Sequence, residues 1–579
     1  LHMKKKLLPA LIVTGLIILV VIIMGITALI NKYTPTKKTE DLKEYFNISS
    51  DDEAALIVDN ELSDYKAKII DKKIYVDYKF VHDSLNSRFY LDAHENVLLY
   101  TTASDIISAA ADSNSYSVTK QTNDFGYPIV KATSDSALIA LDYVKQYSNI
   151  TFKSYDDPAR IVITSKWDEI DSATVSKSTQ VRVKGGIKSP ILKEVKKDDK
   201  ITILDSGDKW DKVATEDGVI GYIKRKALSE SKKTKLTNPD YEEETFTHIK
   251  KDKDICLAWN QVTSQSANSK VPQIISSTKG INVMSPTWFY LNDNNGNLAD
   301  IASKDYVSYC HSQGIEVWGL FSNFENTDVD AAYVLTHTST RTTLINQIMS
   351  AAFNYELDGV NIDFENITEA AYGDSYIEFI RELAIKCHNN GISLSVDVTV
   401  PASFNKFFNR SDMANFADYI VIMGYDEHYK GSDAGSVSSI PWVTEGVEST
   451  LKEVPADQII LGMPFYTRIW ELTPKEDDDA VTDTEDQSKY TVASQVYSMD
   501  AAAAQLATNN ATTALDEESG QNYAEWSASN KLYKVWLEDS TSLEKRLKLV
   551  DDNKLAGAAF WKLGFENSSV WDTVIKYLN

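Results

Sequence analysis

The sequence predicts a multidomain chain: one N-terminal transmembrane helix, an α+β domain, a small all-β barrel and a C-terminal α/β domain of the (β/α)8 TIM-barrel class with an inserted subdomain. Three observations predict it: an uncharged apolar run at residues 7–30, short β-rich runs separated by turns at residues 172–229, and alternating strand and helix patterns over residues 246–579. The 579 residues exceed one domain, and 43% hydrophobic with 25% charged residues is typical of folded chains.

The charge and cysteine content exclude several classes of protein. A formal net charge of −25 repels polyphosphate, so we expect no nucleic-acid partner. The three cysteines, Cys256, Cys310 and Cys387, have no zinc-site spacing and cannot form a disulfide framework. We therefore expect no metal site, and a cysteine-poor exported domain favours a bacterial surface.

The apolar run predicts a membrane anchor. It follows Lys4, Lys5 and Lys6 and is long enough at helical rise to span a hydrocarbon core of roughly 30 Å. A cleaved signal peptide is the alternative, but its apolar region is usually only about 7 to 15 residues. By the positive-inside rule the N-terminus is cytoplasmic, so residues 1–31 form a cytoplasmic tip and anchor, and the rest lies outside the cell.

A polar linker at residues 32–45 precedes a predicted stalk domain at residues 46–168. Within this domain, residues 74–100 and 129–163 each run from a short strand through a helical stretch to two short strands. The segment resembles the amine-oxidase N-terminal-like domains of bacterial surface proteins. That resemblance implies a stalk without a catalytic role.

Residues 172–229 predict a small barrel, followed by a linker at residues 230–245. Its strands include Gln180-Val181-Arg182-Val183, Ile201-Thr202-Ile203-Leu204, Trp210-Asp211-Lys212-Val213-Ala214 and Gly221-Tyr222-Ile223. The order of these motifs resembles bacterial SH3 domains, which implies a cell-wall partner. A spacer barrel with Trp210 and Tyr222 in its core remains open.

The region at residues 246–579 contains eight candidate strands, the number expected of a closed (β/α)8 barrel. The candidates are residues 255–259, 281–284, 315–321, 359–364, 392–398, 419–423, 459–463 and 556–561. Residues 466–540 are too many for a simple connection, so they predict an inserted subdomain over the barrel mouth.

The fourth candidate strand carries the chemistry. In Leu357-Asp358-Gly359-Val360-Asn361-Ile362-Asp363-Phe364-Glu365, strand alternation separates an apolar face from a face with Asn361, Asp363 and Glu365. Buried carboxylates are costly as simple core, and Glu365 lies where barrel enzymes place their active groups. Repulsion from Asp363 would raise the pKa of Glu365, which suits a general acid near neutral pH.

This strand closely resembles the DxxDxDxE signature of family 18 glycoside hydrolases, the chitinase-like (β/α)8 enzymes. Three further motifs of the family occur in the expected order: Met423-Gly424-Tyr425-Asp426, Gly462-Met463-Pro464-Phe465-Tyr466 and Gly557-Ala558-Ala559-Phe560-Trp561. The resemblance covers about residues 246–579. It implies hydrolysis assisted by the N-acetyl group of the substrate, because the strand supplies no second carboxylate across the sugar ring.

The resemblance also implies roles for individual residues. Glu365, Asp363 and Tyr425 would be catalytic: the first as acid and base, the second orienting the N-acetyl group, the third binding the acetamido oxygen. The substrate-binding residues would be Asn361, Asp426, Trp561, Met423 and Tyr466, with the Trp561 ring as the floor of the sugar subsite. No metal or organic cofactor is implied.

One position departs from the signature, because Asn361 replaces its middle aspartate. An asparagine cannot exchange a proton with Asp363, and this form resembles the cortex- and wall-lytic branch of the family, whose substrate is peptidoglycan. Three hypotheses therefore stay open. They are a glycosidase acting on peptidoglycan or a chitin-like glycan, a catalytically silent glycan-binding protein on the same barrel, and a structural wall tether.

Several aromatic residues are candidates for either sugar platforms or core packing. They are Trp288, Phe289, Tyr290, Trp318 and Trp470.

Overall fold

The computed structural model describes residues 4–134, 136–365, 367, 370–475 and 486–578. It divides into two compact units. One comprises Leu1–Phe89, Ala110–Ser115 and Asp124–Glu243, and the other Tyr90–Ala109, Tyr116–Asn123 and Glu244–Asn579.

The first unit begins with a long apolar helix, α1 (Lys4–Tyr33). Its segment Pro9–Tyr33 has a mean hydropathy of 2.9 and none of it is buried, so by length and composition it is able to cross a membrane. It is the one helix with these properties within the part of the chain that the structure describes.

The elements that follow form a mixed sheet of this unit and a separate five-stranded sheet whose residues belong largely to the second unit. In chain order they are α2 (Leu42–Tyr45), β1 (Glu53–Val58), β2 (Glu61–Ile70), β3 (Lys73–Asp77), α3 (Tyr78–Phe80), a π-helical turn (Val81–Leu85), β4 (Phe89–Asp92), β5 (Val97–Thr101), β6 (Ile106–Ala110), β7 (Ser115–Val118), β8 (Gln121–Asp124), β9 (Val130–Ala132), β10 (Ala137–Ala140), α4 (Leu141–Gln146), β11 (Thr151–Tyr155) and β12 (Arg160–Thr164). The mixed sheet has the order β11-β12-β1-β2-β3-β10-β9, in which β1 and β12 are parallel. The order strand, helix, strand, strand occurs twice, from β3 to β5 and from β10 to β12.

A second, seven-stranded antiparallel sheet completes the first unit. Its strands are β13 (Glu169–Thr174), β14 (Thr179–Arg182), β15 (Ile191–Val195), β16 (Lys200–Asp205), β17 (Trp210–Thr215), β18 (Ile220–Lys224) and β19 (Lys232–Lys235), in the order β15-β14-β18-β17-β16-β13-β19. Val181, Val213 and Ile223 are fully buried in its core. Because β13 and β19 pair with each other, the sheet extends past both predicted boundaries. The likeness to bacterial SH3 domains stays a prediction.

The second unit contains the barrel. Its elements are β20 (Ile255–Asn260), α5 (Val271–Ser276), β21 (Val283–Leu291), β22 (Leu298–Asp300), α6 (Lys304–Ser312), β23 (Glu316–Ser322), α7 (Ala331–Thr336), α8 (Thr338–Tyr355), β24 (Gly359–Asp363), α9 (Gly373–His388), β25 (Ser393–Thr399), α10 (Arg410–Phe416), β26 (Tyr419–Met423), α11 (Ile440–Thr450), β27 (Ile459–Pro464), β28 (Tyr466–Pro474), β29 (Tyr490–Ser498), α12 (Met499–Thr508), β30 (Ala514–Asp516), β31 (Gln521–Ala528), β32 (Lys531–Leu537), α13 (Ser540–Asp552), β33 (Gly557–Trp561) and α14 (Val570–Val574). Short 3-10 turns occur at Arg225–Ala227, Gln265–Lys270, Ala370–Tyr372, Ser403–Phe408, Ala456–Gln458 and Gln487–Lys489.

Eight parallel strands close this barrel, which confirms the predicted class. They pair in the order β20-β21-β23-β24-β25-β26-β27-β33, and β33 pairs again with β20. The second strand is longer than predicted and runs to Leu291, so Trp288 and Phe289 lie within it and are buried. Inside the barrel, Trp318 stacks on Tyr419 with ring centroids 5.6 Å apart. Gly359 permits this packing, because a Cβ there would lie 2.5 Å from Cδ1 of Trp318.

The predicted insertion forms a five-stranded antiparallel sheet, ordered β29-β28-β32-β31-β30, with α12 beside it. Residues 476–485 of this segment lie outside the described residues. The sheet buries Trp470 and Leu472 against Ala434, which belongs to the loop after β26. Trp470 is therefore core, and its indole N–H donates to the carbonyl of Gly435 at 2.8 Å.

The sheet β4-β5-β6-β7-β8 packs on the barrel helices, although it lies within the predicted stalk sequence of residues 46–168. Tyr90 and Ser375 form a hydrogen bond of 2.9 Å between their hydroxyls, and Thr101 donates to Glu378 at 2.8 Å. Asp92 accepts from the backbone N–H of Thr338 at 2.6 Å. The structure thus divides the predicted stalk between the two units, because these buried polar contacts join residues 90–109 to α8 and α9 within the second unit.

Candidate functional site

Strand β24 positions the central polar residues. Its alternation places Val360, Ile362 and Phe364 in the large core between strands and helices, as the sequence pattern predicts. Asn361 and Asp363 point into the barrel and are 0% and 5% exposed, whereas Glu365 follows the strand and reaches the surface. The strand thus brings one amide and two carboxyl groups to the C-terminal end of the barrel.

A cleft of about 630 Å³ opens at this end of the barrel. Its acidic residues are Glu325, Asp363, Glu365, Asp397, Asp426 and Glu427. Its aromatic residues are Trp259, Phe324, Phe404, Tyr425, Tyr429, Trp442 and Trp561. None of the described residues that line it is basic. A cleft with aromatic walls and carboxylates suits a carbohydrate, whose rings stack on flat apolar faces and whose hydroxyls donate hydrogen bonds.

Asp363 is a buried carboxyl group in an unusual state. Its Oδ1 atom has no hydrogen-bond partner among the residues that the structure describes. Burial is the largest cause that raises the pKa of Asp363 well above its usual range, and the negative charges of Asp397, Glu365 and Glu325 raise it further. Asp363 therefore favours its protonated form.

Glu365 also has a raised pKa, as the sequence predicts, but with different causes. Desolvation of its carboxyl group within the cleft is the largest, followed by the charges of Asp426 and Glu325. Asp363, the predicted cause, is not among them. A protonated Asp363 explains this, because a neutral neighbour does not repel a carboxylate.

The motif after β26 lies along one side of the cleft. Met423 is 9% exposed and lines it, beside the half-buried ring of Tyr425. Asp426 lies at the rim, where it accepts a hydrogen bond from the hydroxyl of Tyr466 and lies 3.6 Å from Arg468. Tyr466 itself is buried behind Asp426. The structure thus brings together the residues of this motif, and Tyr466 contacts it through its hydrogen bond to Asp426.

Trp561 ends the eighth barrel strand and lines the cleft from below. It contacts Trp259, with ring centroids 6.0 Å apart and planes at 63°. Trp259 in turn lies 6.4 Å from Tyr425 in an edge-on arrangement. These three rings form a continuous aromatic floor.

Asn361 lies beneath this floor and has no exposed surface. Its carbonyl accepts from the indole N–H of Trp259 and from the hydroxyl of Ser285, each at 2.9 Å. Its amide nitrogen donates to Asp397 at 2.7 Å and to Ser395 at 3.0 Å. The predicted place of Asn361 among the substrate contacts is therefore corrected, because protein partners occupy all of its hydrogen-bonding groups.

Sequence reasoning missed several residues of the cleft, among them Glu325, Asp397, Phe404 and Tyr429. One of them had a signal, because Ser393, Ser395, Asp397 and Thr399 alternate with apolar residues in β25 just as the polar residues do in β24. Glu325 accepts from the hydroxyl of Ser322 at 2.6 Å and lies on a loop with no periodicity. Phe404 and Tyr429, which are 79% and 56% exposed, carry no pattern either.

Other candidates from the sequence lie away from the cleft. Trp288, Phe289 and Trp318 are buried in the core. Asp358 accepts from the N–H of Val317 at 2.8 Å and so has a structural role. Among the described residues there is no cluster of three or more His, Cys, Asp or Glu side chains able to hold a metal ion.

Comparisons with known proteins support the chemistry of this cleft. The model of glycosyl hydrolases family 18 matches residues 321–566. A glycosylase of Bacillus subtilis (strain 168), YvbX, is 24% identical over 301 residues, which cover 49% of this chain and 81% of the relative. The cortical fragment-lytic enzyme of the same organism is 24% identical over 287 residues, which cover 48% of this chain and 63% of that enzyme.

Among solved structures, the spore cortex-lytic enzyme SleL of Bacillus cereus is similar with a TM-score of 0.50 and 18% identity, over 60% of this chain and 79% of that one. At this identity the likeness shows the fold alone. The match to the family model covers the strands that carry Glu365, Tyr425 and Trp561. The family 18 model therefore matches the barrel from its third strand onward, and the chain is a glycosidase similar to chitinases and spore cortex-lytic enzymes.

Proposed function

We propose that this chain, whose barrel matches the glycosyl hydrolases of family 18, is a membrane-anchored, extracellular enzyme. It would cleave β-1,4 linkages after N-acetylglucosamine by substrate-assisted, retaining catalysis. One observation carries this proposal. Asp363 and Glu365 lie two residues apart at the end of β24, and both reach a cleft that is floored by Trp561 and flanked by Tyr425.

Glu365 is the proposed general acid. Its raised pKa keeps a fraction of the carboxyl protonated near neutral pH, so it protonates the glycosidic oxygen as the bond breaks. The resulting carboxylate then takes a proton from the water that attacks the anomeric carbon. Its position at the open end of the strand gives it access to both the leaving group and water.

The N-acetyl group of the substrate is the proposed nucleophile. Tyr425 binds the acetamido oxygen, and Asp363 faces the acetamido nitrogen from below. The negative charge that Asp363 gains stabilises the positive oxazolinium-like intermediate. Trp561 stacks on the sugar ring and holds the anomeric carbon near Glu365.

We propose peptidoglycan as the substrate in preference to a chitin-like glycan. The names of two similar proteins, a cortical fragment-lytic enzyme and a spore cortex-lytic enzyme, support this choice, because both describe enzymes of a wall-derived layer. The Asn361 form of the signature supports it further.

The N-terminal segments of the chain have proposed roles in holding the enzyme at the cell surface. The apolar helix α1 is the proposed single-pass anchor, with Lys4, Lys5 and Lys6 in the cytoplasm. The part of residues 46–168 that lies in the first unit is the proposed amine-oxidase N-terminal-like stalk. Residues 172–229 are the proposed SH3-like domain, with the cell wall as its partner.

A catalytically silent, glycan-binding wall protein is the second candidate. The replacement of the middle aspartate by Asn361 favours it, because that residue cannot exchange a proton with Asp363. The aromatic floor of the cleft would serve such a protein equally well.

One experiment separates the two candidates. The full chain in detergent is incubated with purified peptidoglycan and with N-acetylglucosamine oligomers, and released reducing ends are measured beside Glu365→Gln. A glycosidase gives cleavage by the wild type and a loss of about 1,000-fold or more in kcat for the variant, the scale of general acid catalysis. Binding without cleavage by either protein would instead establish the glycan-binding candidate.

A further inference from the structure

The buried amide of Asn361 has a fixed orientation. The indole N–H of Trp259 can only donate, so the atom of Asn361 that faces it at 2.9 Å must be the carbonyl oxygen. The amide nitrogen then faces Asp397 at 2.7 Å. Asn361 therefore always presents a donor to Asp397, and the structure needs an acceptor at position 397.

Asp397 and Asp363 are lateral neighbours on adjacent parallel strands. The register pairs Asn361 with Ser395 and Ile362 with Val396, so Asp363 and Asp397 come next on their strands. Both point into the barrel, both line the cleft, and they are only 5% and 4% exposed. Neighbouring strands lie about 4.8 Å apart, which brings the two carboxyl groups within reach of each other.

Two carboxylates at this separation in a buried site cannot both carry a charge. Oδ1 of Asp363 has no hydrogen-bond partner among the described residues, whereas Oδ1 of Asp397 accepts from Asn361. A proton between the two groups would satisfy the unpartnered oxygen. Burial raises the pKa of both, and the charge of Asp397 raises that of Asp363 further.

We propose that Asp397 replaces the missing middle aspartate of the signature: it shares one proton with Asp363, and Asn361 holds it in place. The carboxyl group has in effect moved from the fourth barrel strand to the fifth. This inference rests on the proposed function, and Asp397 is a positioning residue because it acts on the substrate through Asp363.

The proton balance of this dyad is simple. Before substrate binds, Asp363 carries the proton and Asp397 carries one negative charge. When the acetamido group arrives, the O–H bond on Asp363 breaks and an O–H bond forms on Asp397, so the negative charge moves to Asp363 beneath the developing positive ring. The pair keeps one proton and one charge throughout, and the transfer reverses when the product leaves.

Other titratable groups face the dyad and affect its pH dependence. They are Glu365 on the same strand end as Asp363, Glu325 after β23, Tyr425 after β26 and Tyr376 on α9, while Asp426 acts on Glu365. Each of these stays unchanged in the variants that test the dyad, so differences between variants report positions 361 and 397.

The test compares Asp397→Asn, Asn361→Asp and the double variant in the full chain in detergent, with N-acetylglucosamine oligomers as substrate. Asp397→Asn removes the proton acceptor, so we expect kcat to fall about 100-fold with KM within about twofold, together with a changed pH profile. The double variant exchanges the carboxyl and the amide, so we expect it to recover most of that loss, a coupling that independent sites would not show. Asn361→Asp alone adds a charge, and we expect its pH optimum to move.

A matched control separates chemistry from folding. Asp418 is also a buried aspartate, but it precedes β26 at the opposite end of the barrel and accepts from the N–H of Leu394 at 2.8 Å. Asp418→Asn is expected to lower the melting temperature and leave the pH profile of kcat unchanged. A wild-type pH profile and kcat in Asp397→Asn would overturn the inference, as would a folded double variant no more active than Asp397→Asn.

A second readout does not depend on turnover. The infrared spectrum of the wild type at neutral pH should show the band of a protonated carboxyl, and this band should shift in Asp397→Asn because the partner of Asp363 changes from a carboxylate to an amide. If the wild type cleaves no glycan, the proposed function fails, and this band alone then decides on the shared proton. Absence of the band would overturn the dyad even in an active enzyme.

Discussion

Two of the regions in which the barrel buries carboxyl groups differ in whether they contain cations. Between the helices, Arg341 donates to Glu382 at 2.8 Å, and Arg381 donates to Glu378 at 2.9 Å and also to Asp412. In the cleft, the carboxyl groups of Asp363 and Asp397 lie together, and none of the described lining residues is basic. Both regions bury carboxyl groups, but arginine side chains neutralise them between the helices, whereas no basic residue does so among the described residues of the cleft lining.

The difference shows what each region is for. A buried ion pair costs desolvation but keeps its carboxylates charged, so the helix region serves packing. Carboxyl groups without a cation avoid that cost only by holding protons. The cleft therefore keeps protons available for transfer at some cost in stability, which is a property of active sites.

The largest expected effect comes from removing a cation of the helix region. Arg381→Met leaves Glu378 and Asp412 buried without their paired cation, which should lower the free energy of unfolding by about 3 to 5 kcal/mol. Urea denaturation followed by fluorescence measures this change. The kcat of the surviving folded protein should stay close to that of the wild type, because this cation lies outside the cleft.

An exposed ion pair is the control for that variant. Lys548 and Asp552 lie 2.8 Å apart on α13 with side chains 62% and 52% exposed. Lys548→Met should change the stability by less than about 1 kcal/mol. If the two variants lose the same amount of stability, a buried ion pair contributes no more than an exposed one, which contradicts this expectation.

In the cleft, we expect the stability of the protein to depend on the protonation of buried carboxyl groups. Burial raises the pKa of Asp363 and Asp397, so the folded protein holds protons that the unfolded chain loses near pH 4. The stability from this source is fully present below that pH and is lost as the pH rises through the folded pKa values. Melting temperatures of the wild type should thus fall as the pH rises from 5 to 8.

Asp397→Asn should reduce this pH dependence and stabilise the protein at pH 8 by on the order of 1 kcal/mol, about one pKa unit of linkage. Differential scanning fluorimetry across this range, with the wild type beside the variant, measures the difference. A variant less stable than the wild type at pH 8 would show that the carboxyl group of Asp397 stabilises the fold at this pH, which contradicts this expectation.

The contrast between the two regions also marks the limit of the sequence. Strand alternation was sufficient for the eight barrel strands and for the inward face of β24, because each depends on neighbours in the chain. The pairing of Asp363 with Asp397 depends on the register between two strands separated by α9, which no local pattern encodes. The same reason hides Glu325, a loop residue that acts through space on Asp363 and Glu365.

The predicted stalk shows a second limit. Residues 90–109 have the short alternating strands of their neighbours in sequence, yet they pack on barrel helices through Tyr90 and Thr101. A hydroxyl group that donates to a buried carboxylate such as Glu378 stabilises a contact, but in sequence it is an ordinary polar residue. Long-range polar contacts of this kind depend on the folded arrangement of the chain, so the sequence alone does not predict them.

The smallest expected effect concerns the aromatic rim rather than the charges. Phe404 lines the cleft but is 79% exposed, so its ring has little to pack against until a sugar arrives. Phe404→Ala should raise KM for long oligomers by about 3- to 10-fold, the value of one aromatic contact, with kcat and melting temperature unchanged. Phe353 on α8 is 54% exposed away from the cleft, and Phe353→Ala should leave KM unchanged. If the two variants have the same KM, the ring of Phe404 does not bind the sugar. Binding would then depend on the aromatic floor of Trp259, Tyr425 and Trp561, and the cleft would bind only the one sugar ring that lies above Asp363 and Asp397.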